Sequence, residues 1–232
     1  MKKILSFMLI FILALSLGTI SFAKNSANRL ENSKFTIVDI KEPVGNPNAK
    51  YIFIDENMKN HTSTGISIMG ASREVYDHSY YIVGSKTLKD YNVGPIKNRI
   101  FLISVARGQT VFLEEEKSVS GTVTYSGTVE AEIKRVINLN FTSSISGTYT
   151  RTWKKGVSFE GPDSSSPYNS RDFYGAIDYD LYNVKVDRYD VYKIYNGNID
   201  TEKTVTYYNS SKYINNVKKP KGIQYSLDYN RD

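Results

Sequence analysis

Two histidines, His61 and His78, and one set of aspartates, Asp178, Asp180, Asp187 and Asp190, are the residues of this 232-residue chain that could carry a reaction. The histidines stand seventeen positions apart in polar surroundings. No H-E-x-x-H or G-x-S-x-G pattern is present, so zinc-hydrolase and nucleophile-elbow chemistry have no signature. Both histidines read as surface residues. Asp178 and Asp180, two apart, would share one face of a strand, which could serve a calcium site or an acid/base pair. No D-x-[DN]-x-[DN]-G loop accompanies them. They read as carboxylates on the wet face of a sheet, and we expect no catalytic residue, no metal site and no cofactor.

A different chemistry is carried by tyrosine. Of the 19 tyrosines, 12 lie between Tyr168 and Tyr229. A tyrosine ring is apolar in body and polar at the tip, which suits the binding of sugars or headgroups as well as packing within a Tyr-rich sandwich face.

The elements that would position these residues are strands. From Ser118 to Lys154 polar and apolar residues alternate almost without a break. Val119, Val123, Tyr125, Val129, Ile133, Leu139, Phe141, Ile145 and Tyr149 occupy one side, and Ser and Thr dominate the other. Only an extended strand sends successive side chains to opposite faces, so this run predicts two long strands or several short ones. The stretch 129–139 admits a second reading, because Val129, Ile133, Val136 and Ile137 also fit one face of a short helix.

Elsewhere, Phe35–Ile40, Tyr51–Ile54, Gly65–Met69, Ser79–Val83 and Arg99–Val105 read as strands, the last apolar on both faces. Phe173–Leu181, Val184–Tyr195 and Ile199–Tyr208 follow, and Asn196-Gly197 is the best hairpin turn in the chain because its central positions require positive φ. The loop 160–168, rich in Gly, Pro and Ser, marks a boundary between two lobes of one β-rich unit spanning 24–232.

Compartment is read from the amino terminus. Lys2 and Lys3 precede an apolar stretch from Ile4 to Ile20, and Ser21-Phe22-Ala23 places small residues where a signal peptidase reads, so residues 1–23 are expected to be a secretion signal. The absence of cysteine removes disulfides, thiolate metal sites and a cysteine nucleophile, and fits a secreted bacterial protein. Lys2 and Lys3 supply two of the +6 formal charges, and the remaining basic residues are interleaved with acids. That pattern allows attraction to anionic surfaces but forms no stripe for nucleic acid.

Two resemblances follow from particular residues. Ser104-Val105-Ala106-Arg107-Gly108-Gln109-Thr110, the Ser/Thr alternation, Phe159-Glu160-Gly161-Pro162 and Tyr168-Asn169-Ser170-Arg171-Asp172-Phe173-Tyr174 resemble small secreted proteins of Gram-positive bacteria, a set that brings no activity with it. The Ser/Thr-alternating run also resembles the insertion region of aerolysin-type β-pore-forming toxins. That likeness implies that 118–154 enters a membrane as a β-hairpin, with Val119 through Tyr149 of the apolar set facing lipid. Lys134 and Arg135 near the tip oppose it.

The sequence therefore predicts an all-β, elongated antiparallel sandwich with long Ser/Thr-alternating strands. Its expected role is that of a secreted, non-enzymatic protein binding a cell-surface or extracellular ligand, with membrane insertion of 118–154 as the alternative.

Overall fold

The computed structural model describes residues 34–59, 72–196 and 199–231. The expected signal, the strand expected at 65–69, His61 and Gly197 of the expected turn lie outside these residues.

An antiparallel ribbon of two strands runs through the molecule. β9 (Ser170–Asn196, 27 residues) and β10 (Ile199–Tyr229, 31 residues) pair from Asn196↔Ile199 to Ser170↔Tyr229. At the usual rise this ribbon is up to about 90 Å long. The other edge of β9 is shared: β3 (Ser72–Asp90) pairs with its second half and β4 (Lys97–Ala106) with its first. β2 (Lys50–Phe53) extends the sheet beyond β3, and β1 (Lys34–Lys41) pairs with the last part of β10. The result is a six-stranded sheet. Two small sheets pack against it, one of β5 (Thr110–Phe112) with β8 (Ser158–Glu160), the other of β6 (Lys117–Thr122) with β7 (Thr148–Trp153). The protein is an all-β sandwich, as its alternation predicts.

The alternating run 118–154 does not form two long strands. Its ends are β6 and β7, and between them lies a helix, α1 (Ala131–Thr142). Ile133, Val136, Ile137 and Phe141 fall on one face at helical spacing and are all at most 1% exposed. Period two would divide these four between opposite faces. Burying each contributes about 1.5–3 kcal/mol, which decides the local conformation. Ser143 closes the helix in the left-handed region (φ 59°), its N–H bonded to the Leu139 carbonyl. Ser/Thr alternation hides a helix here because Asn138 and Asn140 count as polar yet are buried. The Asn138 side chain accepts from the Tyr125 hydroxyl (2.7 Å) and donates to the Ile145 carbonyl (2.8 Å), and Asn140 accepts from Lys86 Nζ (2.9 Å).

Alternation along β9 distributes the rest. Phe173, Ile177 and Tyr179 enter a core with Val119, Trp153 and Phe159. Gly175 lies beneath Trp153, where a Cβ would stand 2.3 Å from the ring. The intervening Tyr174 and Ala176 belong to a separate cluster with Ile223, Tyr225 and Leu227. Further along the ribbon, Val184 and Val186 pack with α1, Tyr81 and Val217. The strands expected at 173–181 and 184–195 are thus one continuous strand, and the one expected at 79–83 is part of a 19-residue strand.

Candidate functional site

The aspartates are not on a wet face. Asp178, Asp180, Asp187 and Asp190 are all at most 7% exposed. Buried carboxylates need partners, and each has them. Asp178 accepts the backbone N–H of Gly94 (3.2 Å) and of Tyr179 (2.7 Å). Asp180 forms a buried ion pair with Lys221 at 2.5 Å. Asp187 pairs with Lys185 (2.9 Å) and accepts from Ser211. Asp190 accepts from Ser79 (2.6 Å) and from Arg188 (2.9 Å), whose other arm holds Asp55 (2.8 Å). Burial acts to raise the pKa of Asp187 and of Asp190, but hydrogen bonds outweigh it and hold both below the usual carboxylate range. These groups tie the long strands together. His78 is half-buried with Nδ1 2.7 Å from Asp77. Among the described residues no cluster of three or more His, Cys, Asp or Glu could hold a metal ion.

The nine apolar residues of the alternating run are dispersed among several environments. Val123, Ile133 and Phe141 are buried in the α1 core, with Tyr125 and Val129 packed against it. Val119 is buried in the neighbouring core, and Tyr149 packs there with its hydroxyl on the Lys41 carbonyl (2.9 Å). Leu139 is half-buried on α1, and Ile145 lies in a turn at 56% exposure.

What the ribbon does assemble is rings. Tyr80 on β3, Tyr189 on β9 and Tyr208 on β10 are direct register partners, so three strands each place one tyrosine in a single row. Tyr80 and Tyr189 stack with centroids 5.3 Å apart, Tyr189 meets Tyr208 edge-on at 5.7 Å, and Lys50 of β2 lies 4.8 Å from the Tyr80 ring. Cross-strand aromatic pairs contribute about 0.2–1 kcal/mol each, so the row also supports the sheet. Tyr192, three positions beyond Tyr189, belongs to the opposite face and pairs edge-on with Tyr76 and Tyr207.

A second row crosses the other end of the ribbon, where Phe35, Tyr225, Tyr174 and Phe101 follow one another at 4.9, 5.4 and 5.7 Å. Its centre is already covered. Tyr225 is 4% exposed, and the Arg99 guanidinium lies 3.8 Å from the centroid of Tyr174. The ends of this row, Phe35 and Phe101, are exposed, whereas in the first row Tyr80 and the central Tyr189 are half-buried, Tyr208 is 57% exposed, and the nearby Tyr213 is 71% exposed. Residues 80, 189 and 208 come together only through strand register, which no local pattern encodes; Lys50 likewise carries no signal of its own.

No family model matches the chain, and no curated protein or solved structure proved similar to it.

Proposed function

We propose that the protein is a secreted, non-enzymatic binding protein that engages a cell-surface or extracellular ligand through the tyrosine row Tyr80–Tyr189–Tyr208. The alignment of three tyrosines across three strands, half-buried at Tyr80 and Tyr189 and exposed at Tyr208, is the observation that carries the reading. Tyrosines supply large, stiff contact area at small entropic cost, and a β-sheet holds them at fixed spacing. The buried aspartates support a binder rather than an enzyme, because each has at least one oxygen engaged by an internal donor. Insertion of 118–154 into a membrane would require Ile133, Val136, Ile137 and Phe141 to leave their core.

Co-sedimentation of the mature protein with bacterial cell envelopes tests the proposal. Wild type pellets with the envelopes, and Tyr208→Ser, at an exposed position, lowers the pelleted fraction without changing the circular dichroism spectrum. Equal pelleting of both proteins would refute it.

A further inference from the structure

Resting on that reading, we infer that the ligand is an anionic polysaccharide strand, laid along the sheet face that carries Tyr80, Tyr189 and Tyr208. The face owes its shape to register. Lys185 and Tyr195 lie on the same side of β9 as Tyr189, and their partners Tyr213 and Arg73 continue that side onto β10 and β3. From 185 to 195 this side of β9 extends about 33 Å, long enough for several units of an extended glycan.

The cations border the rings instead of forming a stripe. Lys50 sits over Tyr80, and Arg73 lies 5.7 Å from the Tyr195 ring. Lys185 is a register partner of Tyr213 and leans on Asp187, itself buried. Lys193, on the same side, pairs with Asp77 at 3.7 Å, so Lys50 and Arg73, set over rings, are the cations that an aromatic surface of this kind offers to a chain of hydroxyl-bearing rings with an acidic group at intervals. The way the tyrosines pack favours sugar over a nucleobase. Tyr80 and Tyr189 already stack on each other at 16° between planes, so an incoming ligand meets ring edges and hydroxyls, not an open slot for intercalation. A hydroxyl-rich ligand can use those groups as donors and acceptors.

Affinity electrophoresis with polygalacturonate as the probe decides the matter, with neutral dextran, single-stranded oligothymidylate and anionic phospholipid vesicles as parallel arms. The expected result is retardation by polygalacturonate that weakens as salt rises. Lys50→Gln/Arg73→Gln, both exposed, should weaken binding roughly tenfold at low salt with the fold unchanged. Equal retardation by dextran, insensitive to salt and to these two substitutions, would overturn the anionic class while leaving the binding reading intact. Binding to oligothymidylate or vesicles and not to polygalacturonate would overturn the polysaccharide. Envelope pelleting unaffected by Tyr208→Ser would overturn the binding reading itself.

Discussion

Thr124 and Lys218 exchange two backbone hydrogen bonds, Thr124 N–H to the Lys218 carbonyl at 3.1 Å and Lys218 N–H to the Thr124 carbonyl at 2.9 Å. They form an isolated antiparallel bridge between the chain leaving β6 and the edge of β10. This bridge fastens the Ser/Thr-rich segment to the main sheet just before the approach to α1.

That geometry makes the segment easy to lock. Residues opposed in this way have Cα atoms about 5.5 Å apart, within the range a disulfide spans, and the chain has no native cysteine to compete. The double variant Thr124→Cys/Lys218→Cys should oxidise and gain about 2–4 kcal/mol in urea unfolding. Liposomes loaded with dye should stay intact with the reduced and with the oxidised protein. Release by the reduced form that stops on oxidation would show that 118–154 enters lipid.

Whether α1 or a strand occupies 131–142 is open to a paired substitution. Val136→Asp places an unpartnered charge in a fully buried site and should destabilise by several kcal/mol, whereas Ile145→Asp, at an exposed turn, should change stability by less than about 0.5 kcal/mol. In a two-strand arrangement the order reverses, since position 145 lies on the apolar side and 136 on the Ser/Thr side. Thermal melts of the two variants check this.

Acid should loosen the ribbon through Asp190. Burial raises its pKa, but bonds from Ser79, Arg188 and Asn209 bring it below the unfolded value. Stability from this group is therefore present above about pH 4 and lost as the pH falls further. Asp190→Asn should cost about 1–3 kcal/mol at pH 7 and flatten the decline between pH 4 and pH 2. Urea midpoints across that range measure it, and an unchanged slope in the variant would assign the acid sensitivity to other groups.

The charged start, apolar stretch and small residues Ser21 and Ala23 predict export with cleavage after Ala23. Intact mass of the protein from culture medium should correspond to a chain beginning at Lys24. A full-length product retained on membranes would contradict this.

Much of the sheet is legible in the sequence because period two is a local property. The strand at 173–181 is found from alternation, that at 99–105 from a continuous apolar run, and those at 35–40 and 184–195 from strand-forming residue types bounded by turn signals. That 173–181 and 184–195 are one strand is not legible, since Leu181, Tyr182 and Asn183 break the pattern while hydrogen-bonding through it. The α1 helix is hidden by the same Ser/Thr alternation that reveals the strands around it, with buried Asn138 and Asn140 reading as solvent-facing. The aspartates mislead for a related reason. A charged residue in a strand reads as wet until the partner strand supplies Lys221 or Ser211. Tyrosine enrichment was visible as composition, but the alignment of Tyr80 with Tyr189 and Tyr208 depends on pairing over a hundred positions apart.

The account is tested most directly by exchanging the two aromatic rows for serine and measuring binding of each folded variant to cell envelopes. Tyr80→Ser/Tyr208→Ser should lose most of the binding, while Phe35→Ser/Phe101→Ser, which alters the exposed ends of the second row, should retain it. Loss in the second variant with retention in the first, or equal binding by both, would contradict the assignment of function to the tyrosine row.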